Sequence, residues 1–286
     1  MKNNQKKTLE ECFELYGCDK SYRHHYHTVY EKFLEEKRDT PIRILEVGIL
    51  KGESINAWLE YFPNIEVIYG IDTFERVKVE NIPVLKNPRV KYLKGDSTKC
   101  QLQDKYLGYF DVIIDDGLHS PEFNGKTFKN LSKYLKKDGL YFIEDVWPID
   151  IMTEKEMKHP WVLRHKETRY NKKYFDFFMS CINDKTKWVI ERFDNRKLSG
   201  APDSYVFLVK PVAETKKTTI EETKKTQPAK KRTPRKKKVL TIDDTVSDMK
   251  TPQFVEKIEV RQTKKEETQP DEVYQQLIDA LKTVKE

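Results

Sequence analysis

Residues 110–122 read FDVIIDDGLHSPE, and the chemical character of this stretch changes halfway along it. The run VII at 112–114 is apolar and β-branched, as is typical of a strand that is buried on both faces of a sheet. Two carboxylates, Asp115 and Asp116, follow that run at once, and His119 comes three residues after the second of them. An apolar strand that ends in acidic and imidazole side chains indicates a polar site at the edge of a buried sheet.

A second stretch, GLYFIEDVW at 139–147, has the same form, because its apolar strand ends in Glu144 and Asp145. Both stretches belong to a repeated succession of strand and helix patterns that begins at Ile42. Strand patterns occupy 42–48, 66–72, 90–96, 109–115, 139–145, 187–193 and 204–210, and helix patterns occupy 8–16, 26–37, 53–62, 122–135 and 174–182. The alternation predicts an α/β fold with a mainly parallel, Rossmann-like sheet, and the last two strands predict an antiparallel end.

Apolar residues are distributed unevenly along the 286 residues. Residues 211–286 contain no Trp or Gly and only one Phe and one Tyr, whereas aromatic and aliphatic runs continue throughout residues 1–210. A segment of that composition buries too little apolar area to offset the conformational entropy lost on folding. We therefore predict four parts: an N-terminal helical segment at 1–40, an α/β domain at 41–211, a basic low-complexity linker at 212–270 and a short amphipathic helix at 271–286.

The net charge of +7 divides almost equally between the two regions. Residues 211–286 hold 18 Lys and Arg against 14 Asp and Glu, a net charge of +4, which leaves only +3 for the predicted folded part. Charge therefore excludes a polyanion-binding core, and nucleic acid could bind only through residues 224–238, KKTQPAKKRTPRKKK. A solvated linker is the alternative interpretation, since that run has no aromatic residue on which a base could stack. The helix pattern at 271–286 predicts docking or self-association through one apolar face.

The chain shows none of the sequence signals of secretion or of a membrane span. No apolar run approaches the roughly 20 residues that cross a bilayer, and the polar start MKNNQKK is unlike a signal peptide. The four cysteines, Cys12, Cys18, Cys100 and Cys181, lack CxxC or zinc-finger spacing. We predict free thiols and a cytoplasmic protein with no membrane partner.

The segment EVGILKG at 46–52 lies between the first strand and the helix that follows it. A glycine directly after a strand lets the backbone pass close to a ligand with no side chain in the way. The E-x-G-x-x-x-G spacing differs from the G-x-G-x-x-G of pyrophosphate binders, so a simple glycine turn is the alternative interpretation. Acidic residues at the next two strand ends favour a nucleotide. Asp72 can accept hydrogen bonds from both ribose hydroxyls, and Asp96, followed by Ser97, can accept one from an adenine amino group.

Together these positions resemble the cofactor site of the class I S-adenosylmethionine-dependent methyltransferases, and the resemblance covers about residues 40–210. It implies the seven-stranded methyltransferase sheet and S-adenosylmethionine as the cofactor. The cofactor-binding positions that we assign are Glu46, Gly48, Gly52, Ser54, Asp72, Asp96 and Ser97.

Asp116, Glu144 and Asp145 should lie close together, because neighbouring parallel strands end at the same edge of a sheet. Like charges about 4 Å apart cost several kcal/mol at an intermediate dielectric constant, so we expect a cation to neutralise them. All-oxygen ligands favour a hard ion such as Mg²⁺, and His119 could serve as general base for a hydroxyl that the metal acidifies. The alternative interpretation is that Asp116 and Asp145 cap the following segments and that His119 is a surface residue.

The pattern D-G-x-H, followed by E-D at the end of the next strand, resembles the magnesium-dependent sugar O-methyltransferases of macrolide biosynthesis, the macrocin and mycinamicin type. The resemblance implies that two adjacent sugar hydroxyls chelate the ion and that His119 removes a proton from one of them. The implied metal ligands are Asp116, Glu144 and Asp145. Asp115 would face the methionine part of the cofactor.

The N-terminal segment GCDKSYRHHYHTVYE at 17–31 is similar, more loosely, to a segment that precedes the methyltransferase core in related proteins. The similarity implies that Lys20, His24 and Tyr26 line the cofactor or substrate pocket. The three histidines of RHHYH do not all face one ion on a helix, which argues against a separate metal site there.

We therefore predict an S-adenosylmethionine- and Mg²⁺-dependent O-methyltransferase that acts on a hydroxyl of a sugar, a glycan or another vicinal diol. Loops within 147–170 are expected to bind this acceptor. One alternative is a catechol-type small-molecule O-methyltransferase, and another is a nucleic-acid-associated methyltransferase-like protein that acts through its basic tail. A hydroxylase with a 2-His-1-carboxylate iron site would need a second histidine in the site.

Overall fold

The computed structural model describes residues 6–167 and 169–213, which form a seven-stranded sheet with helices on both faces. The strands are β1 Ile42–Val47, β2 Ile65–Asp72, β3 Val90–Lys94, β4 Phe110–Asp115, β5 Leu135–Ile143, β6 Trp188–Asp194 and β7 Tyr205–Pro211. Their spatial order is β3-β2-β1-β4-β5-β7-β6. The first five strands pair in parallel, and β7 lies antiparallel between β5 and β6. The predicted mainly parallel, Rossmann-like sheet with an antiparallel end is confirmed.

Helices of seven to eleven residues cover the two faces of the sheet, and shorter turns of helix join them to the strands. The α-helices are α1 Leu9–Leu15, α2 Asp19–Tyr22, α3 His27–Leu34, α4 Glu53–Tyr61, α5 Pro121–Leu131, α6 Glu154–Met157, α7 Pro160–His165, α8 Lys172–Ile182 and α9 Arg196–Ser199. Short 3₁₀ helices lie at Glu35–Lys37, Val79–Asn81, Pro83–Lys86, Asp104–Tyr106 and Ser132–Tyr134. Within the described ranges, no helix has both the length and the apolar character that crossing a bilayer requires.

The region 147–170, predicted as loops, differs from that expectation because it contains α6 and α7. Thr153 and Glu156 start α6 with a reciprocal cap: the Glu156 N–H donates to Thr153 Oγ1 at 3.3 Å, and the Thr153 N–H donates to Glu156 Oε2 at 2.6 Å. Pro160 is the first residue of α7, where its fixed φ suits a helix and its missing N–H costs nothing. Local capping therefore orders two short helices that have no long apolar period.

Aromatic side chains fill both interfaces between the sheet and its helices. On one face Tyr30 contacts Trp58 and Phe142, with ring centroids 5.1 and 4.6 Å apart. On the other face Phe178 of α8 contacts Phe207 of β7 at 5.1 Å. Rings of this size remove much of the apolar area that stabilises the domain. Because Tyr30 lies on α3, the N-terminal helices share the core of the sheet.

Several predicted segments lie outside the described residues. They are the linker at 212–270 beyond residue 213, the basic run at 224–238 that it contains, and the helix at 271–286. Nucleic-acid binding, self-association and the four-part domain division therefore stay predictions.

A chain that ends at residue 213 should fold and melt at the temperature of the full chain, because among residues 6–167 and 169–213 the last buried residue of either core cluster is Val209. Thermal melts of the two chains, followed by circular dichroism, test this expectation. As a control, a chain that ends at residue 203 loses β7 from between β5 and β6 and should not fold. A truncated chain that precipitates, or that melts well below the full chain, would show that the boundary at 211 is wrong.

Candidate active site

The ends of the parallel strands meet at one edge of the sheet, called the carboxyl edge here, and the backbone at that edge is strained. Leu50, Phe74, His119 and Asp145 follow β1, β2, β4 and β5, and all have φ between 48° and 54°. Residues with a Cβ rarely adopt this conformation, because the Cβ approaches the carbonyl oxygen too closely. Strain of this kind concentrates where a fold holds side chains for binding or catalysis. The strained backbone therefore indicates a binding or catalytic site at the carboxyl edge.

The glycine loop after β1 lies against the end of β4. Gly48 has φ of 87°, and a Cβ at this position would come within 2.0 Å of the carbonyl oxygen of Asp116. Gly52 has φ of 83°, and a Cβ there would come within 2.5 Å of Val84. The sequence suggested close approach to a ligand as the reason for both glycines. The structure adds a second reason, because each glycine lets two segments of the chain itself pack closely.

Asp72, at the end of β2, holds the glycine loop in place. Its Oδ2 accepts from the N–H groups of Ile49 and Leu50 at 2.7 and 3.1 Å, and its Oδ1 accepts from the N–H of Phe74 at 2.7 Å. These bonds fix the shape of the crevice in which the cofactor was predicted to lie. The predicted contact between Asp72 and a ribose stays a prediction.

Asp96 and Ser97 follow β3 and make mostly local contacts. Asp96 Oδ1 accepts from Thr98 Oγ1 at 2.7 Å and from its N–H at 2.9 Å, and these bonds lower the pKa of the Asp96 carboxyl. Ser97 Oγ lies 2.8 Å from Thr127 Oγ1 of α5. Asp96 therefore caps the turn after β3 while remaining half-exposed at the carboxyl edge.

Glu46 lies beneath the glycine loop and is fully buried. Burial raises the pKa of its carboxyl to about 7, although the nearby Lys20 ammonium opposes the shift. Among the described residues, no donor meets either carboxylate oxygen with good hydrogen-bond geometry. The side chain of Ser54, at the start of α4, lies close enough to Glu46 to offset part of this rise in the pKa of its carboxyl. A buried carboxylate without donors fits a site for a ligand that carries N–H groups.

Asp116, His119 and Asp145 form a compact group, called the acid cluster here. One ligand atom from each lies within 4.8 Å of the others. His119 Nε2 is 3.7 Å from Asp116 Oδ1 and 3.8 Å from Asp145 Oδ2. All three side chains are half-buried, so their polar atoms can reach a ligand in the crevice. The structure thus brings together three of the four residues to which the sequence gave the metal-and-base chemistry.

Glu144 lies beside the acid cluster and is completely buried. Its Oε2 accepts from the Lys20 ammonium and its Oε1 accepts from the Tyr30 hydroxyl. Burial raises the pKa of the Glu144 carboxyl well above its ordinary value, and Lys20 offsets only part of that shift. Both carboxylate oxygens therefore already have donors. The predicted role of Glu144 as a metal ligand stays a prediction.

The N-terminal segment borders the acid cluster and contacts Asp145. The Tyr26 hydroxyl donates to Asp145 Oδ1 at 2.5 Å, and His24 Nδ1 lies 3.4 Å from the same oxygen and 2.8 Å from Ser204 Oγ. His27 faces Glu10 instead, with 3.5 Å between Nε2 and Oε1. The histidines of RHHYH therefore diverge, and two of the three residues predicted to line the pocket, His24 and Tyr26, contact Asp145.

Asp115 contacts α5 through a hydrogen bond. Its Oδ2 accepts from Asn124 Nδ2 at 3.1 Å, and burial raises the pKa of the Asp115 carboxyl to about 6. The bond ties the end of β4 to the helix that follows it. The predicted contact with the methionine part of the cofactor stays a prediction.

His119 is about one-third exposed, with 35% of its side chain accessible to solvent. Burial alone would lower the pKa of its imidazole, but the carboxylates of Asp145 and Asp116 outweigh burial and raise it. The Tyr170 hydroxyl donates to the carbonyl of His119 at 3.2 Å, and Trp161 Nε1 donates to the Tyr170 hydroxyl at 3.4 Å. The 147–170 region therefore supports the backbone of His119 directly.

Several residues of the site were not predicted. Tyr30 follows Tyr26 by four residues, which places both on one face of a helix, so the helical period could have identified it. Tyr170 and Ser204 reach the site from segments far away along the chain, and no local pattern marks them. Asn124 lies one turn into α5, where an amide has no distinctive spacing.

No protein-family model matches the chain. Three curated relatives in sequence have names that describe O-methyltransferases. The mycinamicin VI 2''-O-methyltransferase of Micromonospora griseorubida is 28% identical over 155 residues, 50% of this chain and 37% of the relative. The demethylmacrocin O-methyltransferase of Streptomyces fradiae is 31% identical over 129 residues, 41% of this chain and 31% of the relative. The L-olivosyl-oleandolide 3-O-methyltransferase of Streptomyces antibioticus is 30% identical over 157 residues, 51% of this chain and 40% of the relative.

The chain matches no more than two-fifths of the length of these relatives. Two solved structures share its fold. The MycE methyltransferase of the mycinamycin biosynthetic pathway, in complex with Mg and SAH, has a TM-score of 0.52 at 21% identity, covering 72% of this chain and 55% of that one. An SAH-bound methyltransferase of Podospora anserina has a TM-score of 0.50 at 17% identity, covering 72% of this chain and 88% of that one. The class I methyltransferase fold and the resemblance to sugar O-methyltransferases are confirmed.

Replacing Gly48 with Ala should destabilise the protein more than the same change at Gly200. Both glycines have positive φ, of 87° and 75°, so each alanine bears a conformational cost of roughly 1–2 kcal/mol. A Cβ at Gly200 meets nothing within 4 Å, whereas one at Gly48 overlaps the Asp116 carbonyl and forces β1 and β4 apart. We expect Gly48→Ala to lose about 2 kcal/mol more in urea unfolding. Equal losses would show that the close approach of Gly48 to Asp116 has no energetic role.

In the ligand-free protein, replacing Glu46 with Gln should make the free energy of unfolding less dependent on pH. The folded-state pKa of Glu46 is about 7 and its ordinary value is 4.5, so the unfolded chain releases the proton first as pH rises. The free energy of unfolding of the wild type should therefore fall by about 3 kcal/mol between pH 4.5 and 7, and that of the variant should change less over the same range.

Urea unfolding of both proteins at several pH values measures this slope. Glu66→Gln is the matched control, because Glu66 pairs with Arg43 at the surface and its loss should leave the slope unchanged. The same slope in the wild type and in Glu46→Gln would contradict burial of an ionisable Glu46.

Proposed function

We propose that this chain is an S-adenosylmethionine-dependent O-methyltransferase that methylates a hydroxyl of a sugar or glycan and needs a divalent cation. One observation carries the proposal: the acid cluster lies beside the glycine loop, in a chain whose curated relatives are O-methyltransferases by name, one of them of an L-olivosyl-oleandolide. Neither feature alone would select this reaction, because acid clusters occur without metals and the fold serves many acceptors.

The donor set at the carboxyl edge fits a hard divalent cation. Asp116 and Asp145 present half-buried carboxylate oxygens, and oxygen ligands favour Mg²⁺ over softer metals. Asp116, Glu144 and Asp145 would hold the ion, and Glu144 would do so while it is paired with the Lys20 ammonium. A divalent cation bound there would lower the pKa of an acceptor hydroxyl.

The crevice beside the glycine loop fits S-adenosylmethionine. The buried Glu46 carboxylate lacks donors among the described residues, and the amino group of the cofactor would supply them. The residues proposed to bind the cofactor are Glu46, Gly48, Gly52, Ser54, Asp72, Asp96, Ser97 and Asp115. The cofactor brings a methyl group on a positively charged sulfur, which becomes neutral when the methyl group leaves.

His119 is the proposed general base. Its Nε2 would accept the proton of the acceptor hydroxyl, and it lies 3.7 Å from Asp116 Oδ1 and 3.8 Å from Asp145 Oδ2, at the edge where the acceptor would bind. The Tyr170 hydroxyl donates to the backbone carbonyl of His119, whose φ is positive, so these contacts would position the residue that carries the base.

The 147–170 region is the proposed acceptor wall. Trp161 exposes 43% of its surface. Its indole N–H donates to the Tyr170 hydroxyl, which donates to the backbone carbonyl of His119. Trp147 lies 5.2 Å from Tyr170, ring centre to ring centre. Trp147 and Tyr170 are buried, so they would support the exposed ring of Trp161, and an aromatic ring with a polar tip suits a sugar, which offers both C–H faces and hydroxyls. His24 and Tyr26 would complete the pocket beside Asp145. The cytoplasmic location stays a prediction.

His119→Ala should lower turnover by roughly 10²- to 10⁴-fold while S-adenosylmethionine binds as in the wild type, because only proton transfer is lost. Mass spectrometry of deoxysugar glycosides incubated with labelled cofactor measures turnover, and calorimetry measures cofactor binding. His27→Ala is the control, since this buried histidine faces Glu10 outside the acid cluster.

Chelator should abolish activity in the wild type, and added Mg²⁺ should restore it. A catechol included among the acceptors tests the small-molecule alternative in the same assay. Full activity in EDTA would exclude the cation from the mechanism, and failure of the intact chain to bind S-adenosylmethionine would exclude a methyltransferase.

A further inference from the structure

The ammonium group of Lys20 is buried beside the three carboxylates that follow β4 and β5, Asp116, Glu144 and Asp145, which are called the acidic edge here. The side chain is only 2% exposed, and Nζ donates to Asp116 Oδ2 and to Glu144 Oε2. Lys20 lies on α2, 96 and 124 residues before its two partners. A buried ammonium is costly unless carboxylates surround it, so this contact depends on the close approach of both acids.

Lys20 is charged in this environment. Its Nζ donates to one carboxylate oxygen of Asp116 and to one of Glu144, and the ammonium is the form of lysine that pairs with two carboxylates. The other groups near these acids approach different oxygen atoms from those that Lys20 contacts. His119 approaches Asp116 and Asp145, His24 approaches Asp145, and the Tyr30 hydroxyl occupies the second oxygen of Glu144.

We propose that Lys20 is a resident counter-ion of the acidic edge, which holds Asp116 and Glu144 in place without a metal and sets the affinity of the edge for a divalent cation. The inference rests on the proposed function, because it assumes that the cation binds to these carboxylates. Lys20 is thus a positioning residue, whereas the sequence resemblance suggested contact with the cofactor or substrate.

Charge balance gives the direction of the effect. Asp116, Glu144 and Asp145 carry three negative charges when ionised, and Lys20 reduces the sum to two, which one divalent cation neutralises. Without Lys20 the cation would meet three negative charges and no competing ammonium. Charges a few ångströms apart in a partly buried site interact strongly, so the affinity for the cation should rise.

Lys20→Met, which keeps most of the side-chain volume, should bind Mn²⁺ roughly 10- to 100-fold more tightly than the wild type. Titration of the free-ion electron paramagnetic resonance signal measures the affinity of the full chain. The stability of the variant should also become cation-dependent: its melting temperature should fall in EDTA and recover with Mg²⁺, while that of the wild type changes less.

Lys136→Met is the matched control. Lys136 is also paired with a carboxylate, with 2.5 Å between Nζ and Asp111 Oδ1, but it lies near the opposite end of β4. Its loss should leave both the Mn²⁺ affinity and the response of the melting temperature to Mg²⁺ as in the wild type.

A measurement on the native chain keeps the inference testable if Lys20→Met does not fold. In protein labelled with ¹⁵N-lysine, Mg²⁺ should shift the Nζ resonance of Lys20, assigned by its absence in Lys20→Arg, and should leave that of Lys136 unchanged. A resonance that does not respond when the cation binds would overturn the inference.

The failures of the two proposals are distinguishable. If the wild type binds Mn²⁺ and Lys20→Met binds it equally or more weakly, the counter-ion role is wrong and the proposed cation site stands. If neither protein binds Mn²⁺, the cation site itself is excluded, and the role of Lys20 is excluded with it.

Discussion

The rest of the site depends on the repulsion among carboxylates at the ends of two neighbouring parallel strands. The pairing of β4 with β5 brings Asp116 beside Glu144 and Asp145, and two like charges about 4 Å apart cost about 4 kcal/mol at an effective dielectric constant of about 20. A fold retains such a group only where positive charge or hydrogen-bond donors compensate it. Here Lys20, His119, His24 and two tyrosine hydroxyls surround the acids.

The N-terminal helices supply most of that compensation, which gives them a second role besides packing. Tyr30 contributes its ring to the core and its hydroxyl to Glu144, so one side chain links stability to the site. The glycine loop makes a similar link, because Gly48 lets β1 approach the carbonyl of Asp116. The core, the glycine loop and the acids therefore depend on one another for their positions. Contacts from several segments of the chain hold the strained conformations of His119 and Asp145.

The fold could be predicted from the sequence because β1, β2, β4, β5 and β7 contain buried apolar runs and the longer helices have regular apolar periods. The acidic strand ends were equally visible, since parallel pairing makes their proximity a matter of topology. The contact between Lys20 and Glu144 could not be predicted, because a lysine 124 residues from its partner leaves no local pattern. Short capped helices such as α6 were missed for a related reason, as their stability comes from two or three side chains.

The central claim is that the acidic edge binds a divalent cation next to the methyl-donor site. Crystals of the full chain grown with Mn²⁺ and S-adenosylhomocysteine test it most directly, through anomalous scattering at the manganese edge. The account predicts one strong peak bounded by Asp116 and Asp145, with the nucleoside in the crevice along Gly48 and Asp72. A peak elsewhere, or an acidic edge without manganese in protein that methylates a sugar, would contradict it.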